Sequence, residues 1–187
     1  MAMRGKILKR TWFARPTLSV AQELLGKVLV RRTKGKIKHY RITEVEAYCG
    51  IHDLACHARC GRTRRTEVMF GPAGYIYVYL IYGMYYCLNL VTAKEGEAEA
   101  VLIRSVEPMF STPEHPVGPG KLCRELDINN KLNCQKLGRG SGLWVEDDGY
   151  KVTPRQVGRS PRRGVAYAKK YAGKPWRFYL KTSEFVS

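Results

Sequence analysis

Acidic residues are scarce in this 187-residue chain: 16 Asp and Glu stand against 33 Lys and Arg, a formal charge of +17. Long apolar runs are missing too. A membrane-spanning helix needs about 20 such residues, and the longest candidate, residues 75–91, is rich in tyrosine and interrupted by Gly83. The opening MAMRGKILKRTWF is basic but lacks the apolar stretch and small-residue cleavage site of a secretory signal. The expected location is intracellular: cytoplasm and nucleoid in a bacterium, nucleus in a eukaryote. The six cysteines are then expected as reduced thiols, since disulfides are rare in reducing compartments. No internal repeat, low-complexity tract or linker divides the sequence, so residues 1–187 are expected to form one domain.

A charge excess of this size repels itself and persists where a polyanion binds it. Nucleic acid is the first candidate, because Lys and Arg release counterions from phosphates; a generally basic, soluble surface is the plainer reading. Much of the charge is clustered. RCGRTRR (59–65) presents Arg62, Arg64 and Arg65 in a segment suited to gripping phosphates, and RQVGRSPRRG (155–164) is extended by Lys169, Lys170 and Lys174. With 44% hydrophobic and 11% aromatic residues, the chain can nevertheless bury a core.

Hydrophobic periodicity predicts a helix over 17–27, capped by Thr17 or Ser19 and ended by Gly26. Two strands follow around the Lys34-Gly35 turn. Residues 49–70 read as a structured loop, YVYLIYGMYYCLNL (77–90) as paired strands and AVLIRSVEP as another. EHPVGPGK (114–121) is a loop, and KLCRELDI a short helix starting near Lys121. SGLWVEDD, YKVTPRQV and KPWRFYL read as strands returning to the sheet. Short strands without βαβ alternation define an α+β class: a single domain on a curved, largely antiparallel sheet, with a protruding β-hairpin and a few peripheral helices.

Three segments bear chemistry. In ITEVEAY (42–48), strand alternation places Glu44, Glu46 and Tyr48 on one face, a pattern that fits an acid–base pair but fits a solvated strand face better. CGIHDLACHARC (49–60) holds enough Cys and His for zinc, yet its spacings lack a second paired motif, so no metal is expected and the cysteines read as packing residues. GPGKL (118–122) imitates part of a phosphate loop without the earlier glycine or the final Ser/Thr, which excludes nucleoside triphosphate binding by that route.

The order of motifs is more specific than any one of them. ITEVEAY, Asp53 with His57, MFGPAGYIYVYLIYGMYYCLN, VLIRSVEP, GPGKLCRELDI and KPWRFYL together resemble the alkyladenine (3-methyladenine) DNA glycosylase family, over residues 12–186. The resemblance implies a monomeric, monofunctional enzyme without cofactor or metal. Such an enzyme flips alkylated or deaminated purines (3-methyladenine, hypoxanthine, ethenoadenine) out of double-stranded DNA and leaves an abasic site. It implies that Glu46 activates the attacking water and that Arg104 helps to hold it. The base pocket would comprise Tyr48 and Tyr79 on either side of the base, His57 at its edge and Asn89 against guanine's amino group. Tyr82, beside the turn-forming Gly83, would fill the gap in the stack, while Tyr77, Tyr85 and Tyr86 read as framework or DNA contacts, sheet packing being the favoured reading for each. The contrasting reading is a non-catalytic DNA- or RNA-binding protein using the same charge and aromatics.

The sequence also departs from the family pattern. Thr63-Arg64-Arg65-Thr66 stands where Thr-Pro-Arg-Asn is common, and Arg163 stands where an apolar strand residue is expected.

Overall fold

The computed structural model describes residues 5–110 and 116–187. The first residues of the basic N-terminus and of the expected 114–121 loop lie outside them. In chain order the elements are β1 (Lys6–Ile7), α1 (Arg10–Phe13), α2 (Thr17–Leu24), β2 (Val28–Thr33), β3 (Lys36–Cys49), β4 (Ile76–Ile81), β5 (Tyr85–Thr92), β6 (Glu99–Pro108), α3 (Pro119–Glu125), β7 (Leu143–Asp147), β8 (Val157–Ser160) and β9 (Arg177–Leu180). The strands form one antiparallel sheet in the order β1-β7-β2-β3-β6-β5-β4, with β9 beside β3 and β8 beside β9. This is the expected α+β architecture.

β3 is the spine. Its first half pairs with β2 across Lys34-Gly35, both in the left-handed region that a two-residue hairpin turn demands. Its second half lies between β6 and β9, with Glu46 opposite Leu102 on one side and Arg177 on the other. Register shifts around Glu44 mark a bulge, a device that re-aims side chains. Residues 42–47 are consequently buried without a break, and the solvated strand face expected for Glu44 and Glu46 does not exist.

The main core joins Val20, Ala21 and Leu24 of α2 to Leu29, Ile42 and Ile103 of the sheet and Leu122 of α3. Each of these Val, Leu and Ile side chains contributes about 1.5–3 kcal/mol on burial. A smaller core lies beneath the 49–70 loop, where Cys56, Ala58 and Met69 meet Tyr77, Val91 and Ala100. Cys56 is thus a packing residue, as expected, whereas Cys60 is exposed.

Several local expectations need correction. Pro16, not Thr17 or Ser19, precedes the first turn of α2, and the Thr17 hydroxyl lies 2.6 Å from that of Thr92 instead. α3 starts two residues early, at Pro119, whose missing N–H is harmless in a first turn. YKVTPRQV is not a strand: Pro154 cannot donate to a ladder, and Thr153 and Gln156 close a capping box around a short 3-10 turn before β8. Arg163 likewise lies outside any strand, in an exposed turn after β8.

Candidate active site

The bulged half of β3 and the middle of β6 bring Glu44, Glu46 and Arg104 together. Arg104 donates from Nε to Glu44 Oε1 at 2.9 Å, and its Nη1 lies 3.2 Å from Glu46 Oε1. Glu46 also accepts the Arg163 backbone N–H at 2.8 Å and the Tyr48 hydroxyl at 2.8 Å. Both glutamates are fully buried. Charge-assisted donors are what make such burial tolerable.

The two carboxylates have different surroundings. Glu44 is saturated by Arg104, Arg177, the Ser105 hydroxyl, and the backbone N–H and hydroxyl of Ser187. Burial alone would raise its pKa, but hydrogen bonds from Arg177 and Ser187 and the charge of Arg104 hold it below the ordinary carboxylate value. Burial likewise opposes the charge on Arg104, and the flanking Glu46 and Glu44 outweigh it. Glu44 is therefore a buttress for Arg104, and only Glu46 borders open space.

That space is a cleft of about 130 Å³, lined among others by Glu46, Tyr48, His57, Tyr79, Asn89 and Arg104. Every residue expected in the base pocket borders it. The His57 and Tyr79 rings meet edge-on with centroids 4.6 Å apart, and His57 Nδ1 lies 2.9 Å from the Tyr77 hydroxyl. Burial, then the charges of Arg65 and Arg59, push the His57 pKa down to about 4, so its imidazole is neutral at physiological pH. Asn89 is oriented by donating to the Tyr77 carbonyl at 3.2 Å. Burial raises the pKa values of Tyr48 and Tyr79, which keeps their phenols protonated.

β4 and β5 carry the cleft's outer wall to a hairpin tip. Tyr82 there is 82% exposed, and both Tyr82 and Gly83 have positive φ. Glycine adopts that conformation freely, but a bulky aromatic rarely does, and held outliers of this kind cluster at functional sites. Of the other tyrosines, Tyr77 is core and Tyr86 is partly buried against the main core. Tyr85, expected to be packed in the sheet, is instead 48% exposed and lies directly against Gly120, where a Cβ would come 2.9 Å from its ring.

The basic clusters divide. Arg62, Arg64 and Arg65 are exposed, and Arg65 stacks over Tyr79 at 5.1 Å from the ring centre. Thr66, in place of the usual asparagine, is buried and accepts the Thr63 backbone N–H at 2.9 Å, closing the loop by itself. Arg162, expected among surface charges, is buried and paired with Asp53. Among the described residues no group of three or more His, Cys, Asp or Glu could hold a metal.

Sequence reasoning missed the wall made by Arg163, Gly164, Val165 and Tyr167, together with the Asp53–Arg162 and Ser187–Glu44 contacts. All join residues more than 100 positions apart, and no local pattern announces them.

The model of the family described as methylpurine-DNA glycosylase (MPG) matches residues 11–184. A Legionella pneumophila (strain Corby) protein named "Putative 3-methyladenine DNA glycosylase" is 48% identical over 185 residues, covering 96% of this chain and 97% of its own. Proteins of the same name from Myxococcus xanthus and Methanocella arvoryzae are each 47% identical, covering 96% and 97% of this chain and 93% and 96% of their own.

Proposed function

The chain belongs to the methylpurine-DNA glycosylase family of DNA-repair enzymes, and from that premise we propose that it flips alkylated or deaminated purines out of duplex DNA and hydrolyses their N-glycosidic bond with a water activated by Glu46. The observation that carries the proposal is the setting of Glu46: a buried carboxylate held by Arg104, Tyr48 and the Arg163 N–H, at one side of an aromatic cleft.

In the proposed reaction the everted purine lies between Tyr48 and Tyr79, with its edge towards neutral His57 and Asn89. As the bond from C1′ to the purine nitrogen breaks, its electron pair leaves with the base. Positive charge then grows on the sugar, where the Glu46 carboxylate stabilises it. A water on a free lone pair of Glu46 gives its hydroxyl to C1′ and one proton to the carboxylate, which passes that proton on to solvent or, where a neutral purine has left as an anion, to the base. A cationic alkylated purine is already a good leaving group; a neutral one such as hypoxanthine depends on hydrogen bonds in the pocket. The reaction leaves an abasic site and requires no metal.

Extruding a nucleotide costs a few kcal/mol, and the exposed Tyr82 ring would replace the lost stacking whatever the neighbouring sequence. Arg62, Arg64 and Arg65 would grip the backbone beside the cleft, and the enzyme would act as a monomer.

The test is a set of duplexes carrying hypoxanthine, ethenoadenine or methylated purines, treated with alkali to reveal abasic sites. Wild type should release base from at least one and Glu46→Gln from none. Binding without release by wild type on every lesion would favour the non-catalytic nucleic-acid-binding reading.

A further inference from the structure

A second groove, of about 480 Å³, lies on the other side of the hairpin tip. The base cleft is bordered by Ile81, Tyr82 and Pro119. Their chain neighbours Met84, Tyr85 and Gly120 border the groove, together with Lys121 and Arg124 of α3. The hairpin tip and the first turn of α3 thus separate two concavities of unlike chemistry.

The groove's composition indicates what it would hold. Met84 is 66% and Tyr85 48% exposed, an apolar strip on an otherwise highly charged protein. Lys121 and Arg124 are exposed, and among the described residues neither pairs with a carboxylate. The groove's one acid, Asp127, turns to the Thr33 hydroxyl at 3.2 Å and to Lys34. The missing side chain of Gly120 lets the Tyr85 ring lie against the α3 backbone, which fixes an aromatic floor in the groove that Lys121 and Arg124 also border. An apolar floor with unpaired cations at its rim matches a sugar–phosphate strand: deoxyribose offers an apolar face, and its phosphates offer the charge.

We propose that this groove holds the backbone of the DNA strand opposite the lesion, with Tyr85 and Met84 against its sugars and Lys121 and Arg124 on its phosphates. The inference rests on the reading that Tyr82 enters a duplex. A ring inserted where the lesion stood has the damaged strand on the side of the cleft that receives the nucleotide, and the complementary strand on the side of the groove. The groove would hold the partner strand while the other is distorted, so it acts in duplex recognition and not in bond cleavage.

The probe is a duplex whose hypoxanthine nucleotide carries a 2′-fluorine, which slows cleavage by disfavouring positive charge at C1′. The complementary-strand phosphates opposite the lesion are left intact or replaced by uncharged methylphosphonates. Wild type should bind the uncharged version more weakly and with a shallower salt dependence, by about one unit of slope for each gripped phosphate that is neutralised. The doubly substituted Lys121→Gln/Arg124→Gln protein, altered only at exposed positions, should bind both versions alike and should match wild type on the single-stranded lesion oligonucleotide. Equal sensitivity of the two proteins to methylphosphonates, no sensitivity in either, or weaker single-strand binding by the variant would overturn the proposal. Release of base from an unfluorinated duplex, read on the same wild-type preparation, separates the outcomes. With release intact, failure concerns the groove alone; a wild type that releases nothing brings down the glycosylase mechanism itself.

Discussion

Arg162 and Asp53 meet as an ion pair in which neither side chain is exposed, and this contact ties together the segments that carry His57 and Arg163 to the Glu46 cleft. Asp53 begins the wall that carries His57, and it also accepts the backbone N–H groups of Cys49 and Ala55. Arg162 precedes the wall of residues 163–167, and donates to the carbonyls of Ala47 and Tyr171. Its guanidinium is stacked between Tyr48 and Trp176, at 4.8 and 5.0 Å from the ring centres. Burial works against its charge, and Asp53 more than restores it.

Removing one partner of a buried pair strands the other charge. Asp53→Asn should therefore cost about 3–5 kcal/mol in urea denaturation. Glu67→Gln, which breaks the exposed Arg62–Glu67 pair, should cost about 0–1 kcal/mol. Similar small losses in both would mean that the Asp53 ion pair does not tie the walls.

Tyr82 touches too little of the protein to support it. Tyr82→Ala should leave stability within about 0.5 kcal/mol of wild type while reducing lesion affinity and base release. Nonspecific binding, which follows the charge and its salt dependence, should change less. Unaltered lesion affinity in this variant would remove Tyr82 from the wedge role.

His57 has a folded-state pKa lowered from 6.5 to about 4, by burial first and then by Arg65 and Arg59. The unfolded chain therefore takes up a proton between those values and the folded protein does not, so stability falls as pH drops from about 6.5 towards 4. Above 6.5 neither state is protonated and the contribution disappears. NMR titration should place the His57 midpoint near 4, and His57→Gln should flatten that part of the stability profile. A midpoint near 6.5 would contradict the buried, neutral imidazole.

Glu44 has the opposite sign. Its lowered folded-state pKa means that its ionised form stabilises the fold above the ordinary carboxylate range, and that this contribution is lost as pH falls through its folded value. Glu44→Gln should be most destabilising at neutral pH, and its stability curve should converge with that of wild type on acidification. Because Arg104 loses its buttress, the rate of base release should fall more than lesion affinity does. An intact rate would leave Arg104 positioned without Glu44.

Much of the fold was legible because its signals are local. The Lys34-Gly35 hairpin, α2 and the Tyr82-Gly83 tip follow from turn residues and periodicity within a few positions. Chemistry was harder to read. Spacing alone left Glu44 and Glu46 on a wet face, because a bulge and a third strand partner, β9, have no mark in ITEVEAY. The resemblance singles out Glu46, but the physical reason for the difference lies far along the chain, in Arg177 and Ser187, which saturate Glu44. Arg162 misled in the same way: one more arginine in a basic run, yet the one drawn inside by Asp53.

The position of β3 implies a division of labour in time. Around Glu46 the strand is laced to neighbours on both flanks, so its amides should be among the last to exchange with heavy water. The tip that carries Tyr82, at the sheet's margin, should trade hydrogens early. The tip proposed to probe a passing helix should thus bend and recover many times while the strand that carries Glu46 stays set.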